Sequence, residues 1–181
     1  MSQFIWPASF ACTLVNEKII LPTTYNISVS IAPEYKGRPD VNIGLRKLKA
    51  FIDIRLQNSI FVFNDNPLVK TLDGVVNNAV MFPSEPYDYF VGCVLFRKFL
   101  VITQNYLDIE FISIDSLVGG HVQYSIEDPE ESGLDLDGNF WWNLDTLYTG
   151  SLNDVKWDDL NIDTGPKFEP KIVRGGLSEN K

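Results

Sequence analysis

This sequence has few of the residues and motifs that signal cofactor, metal or nucleophilic chemistry. It has one histidine, His121, and two cysteines, Cys12 and Cys93, that are far apart in apolar surroundings. It has no glycine-rich phosphate loop, no dinucleotide-binding glycine fingerprint, no C-x-x-C pair and no G-x-S-x-G nucleophile motif. A single histidine excludes a metal site built from several histidines of one chain. We therefore predict no cofactor, no metal and no catalytic residue.

Long apolar runs are also missing. The richest stretch, residues 90–102, is interrupted by two basic residues and falls short of the ~18 apolar residues of a membrane span. The N-terminus lacks basic residues, and Pro7 interrupts its apolar stretch, which is not typical of a signal peptide. Free cysteine is usually buried, so Cys12 and Cys93 are expected to be reduced core thiols, with a disulfide between them left open. The sequence predicts a cytoplasmic protein without membrane contact.

Positive charge is scarce in the second part of the chain. Residues 1–105 carry ten Lys and Arg against eight Asp and Glu, whereas residues 106–181 carry five against sixteen. These parts, +2 and −11, sum to the net charge of −9 for the 181 residues. A nucleic-acid-binding face needs clustered Lys and Arg, so no direct nucleic-acid contact is predicted. The acidity is compatible with solubility alone, with cations or with a basic protein partner.

Strand periodicity recurs along the chain. Residues 25–31 alternate strictly between apolar and polar side chains, which is typical of a strand with one buried face. Residues 107–126 predict a hairpin whose turn contains Gly119-Gly120. Further strands are predicted at residues 9–15, 18–21 and 59–63.

Two other segments have helical periodicity. In the first, apolar residues share one face over residues 45–56, with Asp40 as the N-cap and Lys47 among the basic residues of a solvated outer face. The second begins at Ser84 and is apolar nearly all round over residues 90–102, which predicts a central helix covered on more than one side. The order of elements predicts an α+β fold, with two helices packed on an antiparallel or mixed β-sheet.

An irregular acidic aromatic segment follows these elements. We predict a single α+β domain over residues 1–163, in which residues 127–163 pack on the domain or extend it. Residues 164–181 have the composition of a disordered tail.

The acidic aromatic segment is the most distinctive part of the sequence. Residues 127–163 carry eleven Asp or Glu and one Lys, with three tryptophans among them. Two interpretations stay open, because these aromatics either fold back to close the core or anchor a basic partner, as Trp and Tyr do at interface centres. The predicted partner-binding residues are Phe140, Trp141, Trp142, Asp145, Tyr148, Asp154, Trp157, Asp158 and Asp159.

Carboxylates also crowd the predicted hairpin. Asp108, Glu110 and Asp115 suit either the solvated face of a strand or a divalent-metal site. If Asp115 lies opposite His121 across the hairpin, an exposed ion pair worth ~0–1 kcal/mol is expected.

The sequence favours a non-enzymatic protein-binding module with a basic protein partner. An inhibitor or immunity-type protein acting on a nuclease, or on another nucleic-acid-binding enzyme, would have this small size and lopsided acidity. The alternatives are a divalent-metal-dependent hydrolase that uses the hairpin carboxylates, and an oligomeric structural subunit whose aromatics pack in a homomeric interface.

Overall fold

Two 13-residue strands, β1 (Phe4–Asn16) and β2 (Ile19–Ile31), form the centre of the sheet and pair antiparallel along their whole length. The computed structural model describes residues 4–17, 19–72, 78–150, 156–160 and 162. Residues 164–181, for which the sequence predicts a disordered tail, lie outside the described residues.

Four shorter strands extend this pair on both sides. In the described residues, the strand order is β4-β3-β1-β2-β5-β6. On one side, β3 pairs parallel with β1 and β4 pairs parallel with β3. On the other side, β5 pairs antiparallel with β2 and β6 pairs antiparallel with β5. The sheet is therefore mixed, and the predicted α+β class is confirmed. The added strands are β3 (Ser59–Phe63), β4 (Ala79–Phe82), β5 (Ile109–Ser116) and β6 (Tyr124–Ile126).

Both predicted helices are present, with altered boundaries. The first, α1 (Pro39–Phe51), begins one residue before the predicted N-cap and continues into a π-helical turn, Ile52–Leu56. A short helix, α2 (Val69–Leu72), precedes β4. The last helix, α3 (Asp88–Thr103), begins four positions after Ser84. Pro86 disfavours helical backbone at the residue before it, and Tyr87 is still extended, with φ −73° and ψ 148°.

Helix α3 is the centre of the core, as its apolar sequence predicts. Ten of its residues are buried, because it packs against the sheet, against α1 and against the segment that follows β6. Gly92 permits the close approach to the sheet, since a Cβ at this position would collide with the side chains of Ile114 and Ile126. Phe99 is fully buried and meets Phe51 of α1 edge-on, with ring centroids 6.4 Å apart.

The sheet presents one face to α3, and its other face carries polar side chains of β2 and β5. The predicted alternation in β2 is confirmed, with Tyr25, Ile27, Val29 and Ile31 buried under the helices. On the opposite face, the Asn26 amide donates to the Asp115 carboxylate at 3.0 Å. Three-residue or four-residue 3₁₀ turns complete the described structure at Pro33–Tyr35, Pro129–Ser132, Trp141–Asn143 and Trp157–Leu160.

Pro7 lies on a part of the β1 edge where no described strand pairs. Strand β3 reaches only residues 12–15 of β1. The backbone groups of Ala11 point away from β2, since its N–H donates to Gln57 and its carbonyl accepts from the N–H of Asn58. Pro7 is four positions earlier and has the same orientation, so its missing N–H removes a donor from the open edge.

Pro22 likewise lies on a part of the β2 edge where no described strand pairs. Strand β5 pairs with β2 only from Tyr25 onward, and the N–H of Leu117 then bonds to the Thr24 carbonyl. Pro22 is two residues before Thr24, so its nitrogen faces the same side, beyond the end of β5. Both long strands thus have a proline where pairing with another chain would otherwise be open.

Cys12 and Cys93 are buried and not joined by a disulfide, as expected for core thiols. Burial is the larger of two causes, and the charge of the nearby Asp88 carboxylate the smaller, that together raise the pKa of Cys12 to about 12. A thiol with such a pKa stays protonated and is not an activated nucleophile. None of the helices in the described ranges is long and apolar enough to cross a membrane.

Candidate functional site

The acidic aromatic segment folds back onto the domain and brings two tryptophans into the core. The exposed fractions of Trp141 and Trp142 are 3% and 1%. The Trp141 ring stacks on Phe51 of α1 at 6.2 Å and meets Phe82 of β4 edge-on at 6.1 Å. The interpretation that these aromatics close the core therefore describes both tryptophans. In this conformation neither ring is available to a partner.

Both buried indoles keep their hydrogen bonds. The N–H of Trp141 donates to the Met81 carbonyl of β4 at 2.6 Å, and that of Trp142 donates to the Leu136 carbonyl at 2.9 Å. A buried N–H without an acceptor would cost about 1–3 kcal/mol. These bonds fix an irregular segment whose described residues form no strand or long helix of their own to satisfy the backbone.

Lys98 of α3 is fully buried where the helix meets the acidic aromatic segment, and no pattern in the sequence predicts its role. Its side chain is fully buried, and its Nζ donates to the carbonyls of Trp141, Leu144 and Thr146 at 2.9, 2.6 and 2.7 Å. The same nitrogen lies 5.3 Å from the ring centroid of Phe51. The predicted apolar helix thus contains a buried lysine whose hydrogen bonds all go to the segment.

The prediction that Lys47 lies on a solvated face of its helix is wrong. It is buried, with 4% of its surface exposed. Its Nζ lies 3.1 Å from both carboxylate oxygens of Asp145, and 5.1 and 5.0 Å from the ring centroids of Tyr106 and Trp157. The N–H of Trp157 also donates to the Asp145 carboxylate at 3.0 Å. Asp145 is therefore a structural partner of α1.

Phe140 is the aromatic residue of the segment that is most exposed, at 46%. Its ring stacks on the buried Trp142, with centroids 4.7 Å apart and planes 17° apart. Gly138, with φ +96°, lies against the same ring, where a Cβ would be only 3.2 Å from it. Phe140 consequently has one face supported by the core, while about half of its surface is open to solvent.

The loop before Phe140 is acidic, and the side chain of Asn143 holds its backbone in place. The Asn143 amide donates to the carbonyls of Leu136 and Gly138 at 2.7 and 2.9 Å, and its oxygen accepts from Arg97 Nε at 2.8 Å. Residues 127–140 contain no Lys or Arg. Their carboxylates, all on exposed residues, belong to Glu127, Asp128, Glu130, Glu131, Asp135 and Asp137. We call these six residues and Phe140 the acidic surface.

The nine predicted partner-binding residues do not form one surface. Trp141 and Trp142 are buried, Asp145 is paired with Lys47, and Trp157 is half-buried beside it. Asp154 lies outside the described residues. Asp145 is exposed although it is paired, and the other exposed members are Phe140, Tyr148, Asp158 and Asp159. Composition alone does not separate the buried tryptophans of the segment from its exposed phenylalanine, because composition carries no information on burial.

The hairpin carboxylates have separate protein partners. Asp108 accepts from the Tyr35 hydroxyl at 2.9 Å, and Glu110 accepts from the Ser30 hydroxyl at 3.1 Å. Asp115 lies 2.8 Å from His121 Nδ1, which is the ion pair predicted across the turn. This bond to His121 lowers the pKa of Asp115, with a smaller contribution from its Asn26 bond. In the described part of the chain, no three His, Cys, Asp or Glu side chains are grouped to hold a metal ion.

A hydrogen-bonded group of one carboxylate and two hydroxyls connects α3 to the sheet. Asp88, at the start of α3, accepts from the hydroxyl of Tyr25 at 3.0 Å and from that of Ser116 at 2.7 Å. Ser116 in turn accepts from the N–H of Gly119 at 2.9 Å. Burial, followed by the charge of Asp88, raises the pKa of Tyr25. The cluster positions the helix and the hairpin turn, and the raised pKa of Tyr25 keeps its hydroxyl protonated.

The candidate site is therefore a surface feature, a supported aromatic ring beside an acidic loop. Neither a protein-family model nor a curated protein sequence matches this chain. The function has to be inferred from the chemistry of the surface itself.

Proposed function

We propose that this protein is a non-enzymatic binding module of the cytosol that presents the acidic surface to a basic protein partner. An inhibitor or immunity-type protein that blocks a nuclease, or another nucleic-acid-binding enzyme, would act in this way. Such an enzyme carries clustered Lys and Arg to replace the counterions of its substrate. An acidic protein can occupy the same cluster and exclude the nucleic acid.

The exposed ring of Phe140 is the observation that carries this proposal. Aromatic anchors dominate the binding energy of many interfaces. Phe140 is held by its stacking on Trp142, and the backbone of its loop is fixed by Asn143. A ring that is already ordered loses little conformational entropy when it binds.

The charge of the surrounding loop supports a basic partner. Its carboxylates are exposed, and among them Glu130 lies 3.5 Å from Arg97 NH1. Exposed like charges repel one another, and an oppositely charged surface relieves that repulsion. They also raise the rate of diffusional encounter with such a surface.

The experiment uses point variants, because deletion of the whole segment would also remove Trp141 and Trp142 from the core. Wild type and a variant that combines Phe140→Ala, Asp135→Asn and Asp137→Asn serve as baits for affinity capture from the source cell. We expect wild type, and not the variant, to retain a basic protein. Association and dissociation rates are then measured with that purified protein. Phe140→Ala should mainly accelerate dissociation, and the two Asp→Asn changes should mainly slow association, less so at high salt.

Matched controls are Ile20→Ala, an exposed apolar residue elsewhere, and Glu34→Gln with Asp65→Asn, two exposed acids outside the segment. These should bind like wild type. Equal binding by the variant of the acidic surface would contradict the proposal. A thermal shift with magnesium that disappears in Asp108→Asn with Glu110→Gln would favour the hydrolase alternative. Elution as a large assembly would favour the structural subunit.

A further inference from the structure

Tyr89 of α3 and Tyr124 of β6 form an aromatic pair where the helix begins to cross the sheet. Their ring centroids are 5.9 Å apart, and the ring planes are tilted by 58°. Tyr124 and Ile126 lie on the same face of β6, because they are two positions apart. Ile126 is buried beside Gly92, whereas Tyr124 is 36% exposed and Tyr89 is half-buried. The two rings, which we call the tyrosine pair, therefore keep open surface at the end of the core.

Two carboxylates of the acidic surface lie beside the tyrosine pair. Asp128 follows β6 by two positions and caps the 3₁₀ turn Pro129–Ser132, which packs against α3. Burial is the main cause that raises the pKa of the Tyr89 hydroxyl, followed by the neighbouring Cys93 and by the charges of Glu131 and Asp128. Both carboxylates belong to exposed residues. The acidic surface thus extends to two aromatic rings that the described part of α3 and β6 leaves partly open.

The same fold surrounds one of its own cations with this combination of groups. The ammonium of Lys47 lies 3.1 Å from the Asp145 carboxylate and about 5 Å from the ring centroids of Tyr106 and Trp157. A cation over an aromatic face is attracted by the negative face of the ring, and a carboxylate beside it adds a direct charge pair. Two rings and a carboxylate are therefore a suitable environment for a basic side chain.

In the described part of the chain, no basic side chain fills the tyrosine pair. The cation–ring contacts there involve other rings than Tyr89 and Tyr124. Residues 99–155 contain no Lys or Arg. Arg97, about two turns along α3 from Tyr89, contacts Glu130 and Asn143. The charge around the pair is consequently complementary to a cation from another molecule.

We propose that the tyrosine pair binds one arginine side chain of the basic partner, with the guanidinium against the rings and near the carboxylates of Asp128 and Glu131. A guanidinium is planar and weakly hydrated, stacks on aromatic faces and pairs with carboxylates, whereas an ammonium is strongly hydrated. This subsite deepens the proposed binding function, and its assignment to the basic partner rests on that function. It gives the acidic surface a second aromatic contact besides Phe140.

A titration with a short peptide tests the subsite without the natural partner. The probe is acetyl-Gly-Arg-Gly-amide, and in the control probe citrulline, which has a similar shape and no charge, replaces the arginine. Selective carbon-13 labelling of the tyrosine rings follows each ring by NMR at constant ionic strength. We expect the arginine peptide to shift the signals of Tyr89 and Tyr124 along one saturation curve, and the citrulline peptide to shift neither. Equal shifts with both peptides would overturn the proposal, because binding would not depend on charge.

Variants of the pair test the role of the ring. Tyr124→Leu keeps an apolar side chain and should weaken binding of the arginine peptide about two- to fivefold, as loss of an exposed cation–π contact does. Tyr124→Phe keeps the ring and should bind like wild type. Tyr87→Leu is the matched control, since Tyr87 is 55% exposed and outside the pair, and it should also bind like wild type. Equal affinity of Tyr124→Leu and wild type would contradict the proposal.

Two further outcomes remain decisive if Tyr124→Leu does not fold. Glu131→Gln, a change at an exposed residue, should also weaken binding of the arginine peptide, and unchanged binding would overturn the subsite. A shift of the Tyr124 signal in Arg174→Gln without peptide would show that the chain's own C-terminal residues fill the pair, which would overturn it as well.

Affinity capture separates the subsite from the function on which it rests. If wild type retains a basic protein but the arginine peptide shifts neither ring, the binding function stands and the subsite is wrong. If the peptide binds at the rings but the variant of the acidic surface captures the same proteins as wild type, the rings bind arginine and the proposed function is wrong.

Discussion

Lys47 Nζ lies 3.1 Å from both carboxylate oxygens of Asp145, although the two residues are 98 positions apart in the chain. This pair joins α1 to the acidic segment, while Lys98 joins α3 to the same segment. The fold thus uses two buried lysines, from two helices, to hold an irregular stretch that is rich in carboxylates and tryptophans. The acidic surface directly precedes this anchored stretch in the chain.

Asp145→Asn should lower the free energy of unfolding by about 1–3 kcal/mol, because hydrogen bonds to a charged group are worth about that much. The asparagine keeps one acceptor oxygen but removes the charge that compensates Lys47. Urea denaturation monitored by circular dichroism measures the change. Asp158→Asn, an exposed acid in the same segment, is the control and should stay within about 0.5 kcal/mol. Equal effects of the two substitutions would mean that the Lys47 pair contributes nothing.

Trp142→Ala should cost about 3–5 kcal/mol, as removal of a large buried aromatic does. The ring is 1% exposed and supports Phe140. Denaturant unfolding of this variant is compared with that of Tyr148→Ala, which removes an aromatic side chain that is 37% exposed. A loss below about 1 kcal/mol for Trp142→Ala would place the ring at the surface and restore it as a candidate anchor.

Pro22→Thr should increase self-association, because it returns an N–H donor to the open edge of β2 beside the exposed Ile20. One main-chain hydrogen bond is worth about 0.5–1.5 kcal/mol, or a two- to tenfold change in the association constant. Sedimentation velocity over a concentration series gives that constant for the variant and for wild type. Pro33→Thr, which changes a proline in a 3₁₀ turn, is the control. Identical profiles for Pro22→Thr and wild type would show that Pro22 does not protect the edge.

His121→Ala should raise the pKa of Asp115 toward its ordinary range, because the bond to His121 is the main cause that lowers it. A carboxyl whose pKa is lowered in the folded state stabilises the protein above its unfolded pKa, and that contribution disappears as the pH falls through the folded value. Carbon-13 NMR of the carboxylates measures the shift. Asn26→Ala should have a smaller effect of the same sign. An unchanged Asp115 pKa in His121→Ala would contradict the role of the pair.

Much of the fold follows from local periodicity. The strict alternation of residues 25–31 fixes which side chains of β2 are buried, because successive residues of a strand point to opposite faces. The all-round apolar sequence of residues 90–102 determines that α3 is central, since no face of it suits water. The hairpin after α3 and its ion pair between Asp115 and His121 were also predictable, because both depend on residues close together in the chain.

The candidate site was predictable only as a segment. Its acidity and its aromatic content are visible in the composition, but the burial of Trp141 and Trp142 depends on Phe51, Phe82 and the carbonyls that receive the indole N–H groups. No local pattern marks which ring turns inward. Phe140 remains exposed because the core beneath it is already filled by Trp142, which is a result of packing.

The sequence by itself determined the strand and helix faces and the acidic aromatic segment, since these depend on residue type and on spacing within one element. Only the tertiary structure decided that Lys47 and Lys98 are buried. A lysine is normally solvated, and burying its charge is unfavourable unless other groups compensate. Asp145 and the three carbonyls supply that compensation from more than 40 positions away. Such long-range contacts exist only once the chain has folded.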